Sequence, residues 1–130
     1  MISSKPILEI TMHATVLFAH GSRDPAWRLP IDCVAECMQT MDTQHLVRCA
    51  FLELTKPDLA TVTKELVTQK IKRITIVPMF LGIGRHARED LPLLVSELKC
   101  AYPEIVFELR PSIGEDPRVI ELLAHLSMPT

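Results

Sequence analysis

Short apolar runs alternate with longer amphipathic stretches along the whole chain. Ala14–Ala19 (ATVLFA) is nearly all apolar and rich in β-formers, the pattern of a strand buried on both faces. Leu46–Leu52 (LVRCAFL), Arg73–Leu81 (RITIVPMFL) and Ile105–Leu109 read as three further strands. Pro78 predicts that the third ladder stops near its end, because proline has no N–H to give. Helices are predicted over Pro25–Met41, Pro57–Gln69, His86–Ala101 and Pro117–Leu126. Pro25 and Pro57 suit a first helical turn, where a missing N–H costs nothing, and Asp24 and Asp116 are in place to cap. In the second helix Leu59, Val62, Leu66 and Val67 form an apolar stripe. Pro92 marks a potential kink in the third, and Gly82 and Gly84 lie in the loop before it. The order is βαβαβαβα. Repeated βα units imply a four-stranded parallel sheet covered by helices on both sides, with ligands bound at the carboxyl ends of the strands beside a switch in strand order.

Composition narrows this picture. At 130 residues, with 48% hydrophobic and 23% charged, the chain is sized for one globular domain, 1–130 with a core over about 14–126. A net charge of −2 gives no basic footprint, so nucleic acid is not an expected partner. The segment Met1–Thr15 does not read as a signal peptide, since Glu9 and His13 interrupt its apolar run. No stretch approaches the roughly 20 apolar residues that span a bilayer. The expectation is a soluble, cytoplasmic protein with no membrane partner, its four cysteines (Cys33, Cys37, Cys49, Cys100) reduced thiols. Cys33 and Cys37, four apart on a predicted helix, read as small apolar residues on a packed face. The methionines read as gap-fillers or surface residues, without a role.

Three chemistry-bearing groups fall just past three strand ends. His20 follows the first strand in His20-Gly21-Ser22-Arg23, Glu53 follows the second in Phe51-Leu52-Glu53-Leu54, and His86 follows the third. One parallel sheet brings such positions to a single edge. Two imidazoles and a carboxylate suit a borderline divalent metal and leave coordination positions open. Taken singly, each also reads as an ordinary loop histidine or solvated acid, and the residues alone leave both readings open. His13, His45 and His125 show no convergent neighbours.

The strings His20-Gly21-Ser22-Arg23, Phe51-Leu52-Glu53-Leu54, Val77-Pro78-Met79-Phe80-Leu81 with Arg85-His86-Ala87-Arg88-Glu89-Asp90-Leu91-Pro92, and Pro111-Ser112-Ile113-Gly114-Glu115-Asp116-Pro117 together resemble the class II chelatases of the CbiX and sirohydrochlorin chelatase type. The resemblance runs from about Val16 to Leu126, and its blocks keep the family's order. It implies a flavodoxin-like fold and insertion of a divalent metal, cobalt first, into a sirohydrochlorin-type tetrapyrrole. No organic cofactor is expected. It places His20, Glu53 and His86 in the catalytic, metal-holding role. Ser22, Arg23, Gly84, Arg85 and Arg88 stand in the same loops, where cations would meet the substrate's carboxylates. The chain is similar to the short, single-domain members, which implies a homodimer. Iron or nickel insertion and a non-catalytic metal or tetrapyrrole carrier are the competing readings. Histidine phosphatases also place His-Gly after a first strand, but their motif needs Arg before the histidine, and Ala19 stands there.

Overall fold

A computed structural model of the chain describes residues 12–130; the reading made above on the N-terminal segment, Glu9 included, lies outside them up to Thr11. Four strands form one parallel sheet: β1 (His13–Ala19), β2 (Leu46–Phe51), β3 (Arg73–Pro78) and β4 (Val106–Leu109). Their spatial order is β2-β1-β3-β4. The chain therefore steps from β1 outward to β2 and then crosses back over β1 to reach β3. Strand order reverses at the carboxyl ends of β1 and β3, which opens a crevice there. The α/β class, the element order and the parallel sheet are those the periodicity predicts.

Helices α1 (Leu29–Met41), α2 (Leu59–Thr68), α3 (Arg85–Ala101) and α4 (Pro117–Ser127) connect and follow the strands. Three details differ from the sequence reading. The predicted helix over Pro25–Met41 divides into a 3-10 turn, Pro25–Arg28, and α1. Pro30 lacks an N–H and is tolerated only within a first turn, so the α-helix begins afresh around it. Asp24 accepts from the Ala26 N–H and caps the 3-10 turn rather than an α-helix. In α2 the cap is Asp58, whose Oδ1 accepts from the Thr61 N–H at 2.8 Å, while Pro57 stays outside. Thr61's hydrogen bonds hold the Asp58 carboxyl below its ordinary range. β3 ends at Pro78, and Asp116 caps α4 by accepting from the Arg118 N–H, both as read from the sequence.

The larger part of the core lies on one face of the sheet. Ala14, Val16 and Phe18 of β1 and Ile74 and Ile76 of β3 meet Leu59, Val62 and Leu66 of α2 and Leu91, Val95 and Leu98 of α3. α2 closes with a Schellman turn: Ile71 N–H donates to Leu66 C=O at 3.1 Å and Lys70 N–H to Val67 C=O at 3.0 Å. Lys70 takes the left-handed conformation there, at φ 67°, and the Leu66 and Ile71 side chains are both fully buried. α3 runs through Pro92, which sits on its exposed side.

The second face carries α1, beneath which Leu17, Ala19 and Phe51 are buried, so helices flank the sheet on both sides as expected, with this layer the thinner one. α1 lies over β1 and β2 and α4 is placed to follow β4, yet neither contains a buried residue. Cys33 and Cys37 are exposed, so the packed face read from their spacing does not exist in this chain alone; the inward side of α1 carries half-buried Ile31, Ala35 and Met38 instead. All four cysteines are free thiols. His13 and His45, which the sequence left without neighbours, meet edge to face at 4.9 Å between ring centroids. His13 Nε2 lies 2.9 Å from Thr75 Oγ1, and His45 Nε2 lies 2.7 Å from Thr15 Oγ1. Burial, then the neighbouring His45, holds the His13 pKa below its ordinary value. Adjacent strands decide that meeting, and periodicity along the chain carries no trace of it. Among the described residues no helix is long and apolar enough to cross a membrane.

Candidate functional site

The loops after β1 and β2 are joined residue by residue at the carboxyl edge. Leu52 N–H donates to Ala19 C=O at 2.9 Å and Glu53 N–H to His20 C=O at 3.0 Å, continuing the β1–β2 ladder past both strand ends. Thr55 then clamps the first loop from both sides. Its hydroxyl donates to Ser22 C=O at 2.7 Å and accepts from Ser22 N–H at 2.9 Å. A single hydroxyl thus makes the two bonds that a paired residue's backbone would make in a sheet.

Gly21 allows the approach. It sits at φ +105°, a backbone conformation that side chains rarely adopt, and a Cβ built on it would collide with the Glu53 carbonyl. Leu54, just after Glu53, takes φ 64° and leaves its side chain exposed. Such a conformation in a non-glycine residue is uncommon and clusters at functional sites.

These ties bring His20 and Glu53 together. His20 Nε2 lies 3.0 Å from Glu53 Oε1, with both side chains about half exposed. An ionised carboxylate can only accept, so in this arrangement the hydrogen bond runs from an Nε2–H to Glu53. A separation of 3.0 Å also equals the distance between neighbouring ligands about 2.1 Å from one octahedral metal, roughly 3.0 Å. The two groups are thus close enough to be neighbouring ligands of one divalent cation once the imidazole turns its lone pair toward it. Phe80, just past β3, stands edge-on to the His20 ring at 6.5 Å and walls the pair on the β3 side. A groove of about 740 Å³ runs along the loop after β2, lined in part by Leu52, Glu53, Leu54 and Lys56. That is the size range of ligand sites.

His86 does not join the pair. It is exposed in the first turn of α3, and among the described residues no three His, Cys, Asp or Glu side chains lie close enough to hold one metal. The physical reason is loop length. His20 and Glu53 follow their strands by one and two residues, whereas His86 stands eight beyond Pro78. A backbone ladder carries the first two together, but nothing fixes the third at the same depth.

The substrate-binding residues read from sequence divide similarly. Ser22 Oγ accepts from the Asp24 N–H at 3.1 Å and shapes the loop, while its backbone holds Thr55. Arg23 is exposed and makes no ion pair among the described residues. Arg85 pairs with Glu89 at 3.2 Å, both largely exposed, an arrangement of small energetic worth. Arg88 donates from Nη2 to Ile83 C=O at 3.1 Å. Gly84 is the N-cap of α3, and a Cβ there, as at Gly82, would enter open space. Close approach instead requires Gly21 and Gly114, the latter set against the Leu81 backbone with its N–H donating to Phe80 C=O at 2.9 Å. Sequence reasoning missed Gly21 and Thr55 as site residues. A glycine immediately after the strand-end histidine was a legible signal of positive φ, whereas Thr55 gave none.

A family model described as CbiX matches residues 14–127. The curated sirohydrochlorin cobaltochelatase of Methanococcus aeolicus is 30% identical over 89 residues, which cover 68% of this chain and 62% of that one. The one from Saccharolobus solfataricus is 30% identical over 118 residues, covering 86% and 91%. The chain thus spans less than two thirds of the first relative and nearly all of the second. Among solved structures, a putative cobalamin biosynthesis CbiX protein from Marinobacter aquaeolei superposes with a TM-score of 0.77 at 30% identity, covering 88% of this chain and 92% of its own. The sirohydrochlorin chelatase SirB of Bacillus subtilis, solved with cobalt, gives 0.74 at 26% identity, covering 87% of this chain and 48% of SirB. SirB has also been solved with Fe3+.

Proposed function

Because the chain belongs to the CbiX family of class II chelatases, we propose that it is a sirohydrochlorin cobaltochelatase, inserting cobalt(II) into sirohydrochlorin. The observation that carries the reading is the His20–Glu53 pair, 3.0 Å apart at the switch point of a parallel sheet. Insertion forms bonds from the metal to the four ring nitrogens and releases two pyrrole protons. In this reading His20 and Glu53 take the incoming cation, with two labile ligands that leave the rest of its coordination sphere open for the macrocycle. A closed cage of ligands would retain the metal instead. Once the metal has passed to the ring, neutral His20 accepts a pyrrole proton and Glu53 orients its imidazole. His86 is assigned to the opposite side of the cleft, as a further metal ligand or the second proton acceptor, reached only when the macrocycle is bound. Arg23, Arg85 and Arg88 contribute positive charge for the substrate's eight carboxylates, with Ser22 and Gly84 shaping the loops around them. The test is insertion followed by the absorbance of the metallated ring, with cobalt, iron and nickel compared side by side on the same protein. Cobalt is expected to be inserted with turnover. Stoichiometric retention of metal or macrocycle without release would make the protein a carrier. Iron insertion is the second reading, favoured by the Fe3+ form of the similar SirB.

A homodimer forms part of this proposal, with a cytoplasmic location where Cys33, Cys37, Cys49 and Cys100 stay reduced. Its support is α4, in which Ile120, Leu122, Leu123 and Leu126 are all exposed. Monomeric proteins rarely leave a contiguous apolar face uncovered. A second copy covering it would also add a wall to a cleft that one small domain leaves open. Sedimentation at micromolar concentration is expected to give a dimer, which Leu123→Glu with Leu126→Glu converts to monomer. A wild-type monomer across that range removes the dimer.

A further inference from the structure

On the β3–β4 side of the carboxyl edge lies a cavity of about 150 Å³, walled by Arg88, Arg110, Ser112 and Glu115 over Pro78 and Leu109. It is too small for a macrocycle, since sites for whole drug-sized ligands run from roughly 300 Å³ upward. Its wall is electrically lopsided: two guanidiniums against one carboxylate. Arg88 is tied to the cavity's own wall, and Arg110 leans on a carboxylate beside it. Arg88 is tied through Nη2 to Ile83 C=O at 3.1 Å. Arg110 Nε points to Glu108 Oε1 at 3.4 Å, and its Nη atoms make no hydrogen bond among the described residues. Ser112, only 5% exposed, lines the same cavity. Both guanidiniums keep unused donors, and each presents a planar fork suited to a carboxylate.

We propose that this cavity is a carboxylate subsite that seats one acetate or propionate arm of the macrocycle, with Arg110 as a residue that determines substrate recognition. The assignment rests on the chelatase reading and deepens it. Its position fits. β1, β3 and β4 are successive neighbours in the sheet, so the end of β4 stands about 10 Å from the end of β1, at roughly 4.8 Å per strand. The periphery of a tetrapyrrole lies at a comparable distance from its central nitrogens. An arm held by Arg88 and Arg110 would leave the ring centre over the His20–Glu53 pair. The loop carrying Ser112 is itself fixed to the His20 side, because Gly114 N–H donates to Phe80 C=O at 2.9 Å and Phe80 abuts His20.

The experiment titrates metal-free protein with sirohydrochlorin and with its octamethyl ester, read by macrocycle absorbance, and separately with cobalt(II) alone. Wild type is expected to bind the acid more tightly than the ester. Arg110→Gln weakens the acid about tenfold, leaves the ester unchanged and leaves cobalt binding unchanged. In turnover the same variant raises KM for sirohydrochlorin and spares kcat. Arg110→Lys, which keeps the charge and loses the fork, falls between. Acid binding by Arg110→Gln equal to wild type overturns the subsite while the chelatase reading survives. Failure of wild type to bind sirohydrochlorin at all overturns both.

Discussion

Replacing His20 with Ala is expected to lower kcat for the proposed cobalt insertion on the order of 10²-fold or more, the usual worth of a positioned acid–base group. The residue combines two roles. In the proposed mechanism it supplies one of two adjacent metal-holding atoms, Nε2 at 3.0 Å from Glu53 Oε1, and serves as a base for a departing pyrrole proton. Glu53→Gln keeps the volume and a hydrogen-bonding amide yet removes the anionic ligand. It is expected to weaken cobalt binding by about 10–100-fold, the range found when a metal-orienting partner is lost, with a smaller loss in kcat. Neither change touches the core, since both side chains are half exposed, so melting temperature stays near wild type. His86→Ala separates the free arrangement from the working one. If His86 acts only with the macrocycle bound, this variant binds cobalt as wild type does and loses kcat. Full insertion activity in both His20→Ala and Glu53→Gln would falsify the site.

Gly21→Ala produces the second large effect, and it is a structural one. Alanine at φ +105° is strained, and its Cβ would overlap the Glu53 carbonyl. Relief requires the first loop to withdraw from the second. That breaks the Glu53 N–H bond to His20 C=O and the two-way clamp between Thr55 and Ser22. Backbone strain of this kind costs roughly 1–3 kcal/mol, and each lost hydrogen bond adds about 1 kcal/mol. Together they lower Tm by on the order of 10 °C for a domain of this size. Thermal unfolding measures the loss, and cobalt titration shows His20 and Glu53 no longer acting as one site. A Gly21→Ala protein that melts and binds cobalt like wild type would mean the loops are free to part without consequence.

Much of the architecture was legible from local physics. The nearly all-apolar run Ala14–Ala19 and the β-branched run Ile74–Val77 can be stable only between two covering layers, and proline-opened amphipathic stretches between them supply the crossovers. Pro78 and Asp116 marked their boundaries because one lacks a donor and the other offers an acceptor, properties each residue carries wherever it stands. Exposure was less legible. Cys33 and Cys37 share a helix side as their spacing predicts, yet spacing cannot say whether anything lies against that side. The resemblance named His20, Glu53 and His86 as one set, and the fold assembled only two of them.

The sequence by itself thus determined the βα alternation, the parallel sheet and the strand ends on which His20 and Glu53 stand, because periodicity, proline and caps act within a few residues. Tertiary structure alone decided the crossing from β2 over β1 to β3, which turns two strand ends into a crevice. It also decided the contact of Gly21 with Glu53, the clamp of Thr55 on Ser22 across 33 residues, and the pairing of Arg88 with Arg110 around one cavity. Those contacts join residues far apart in the chain. Their energy comes from register and closeness of backbones, which no local pattern of side chains encodes.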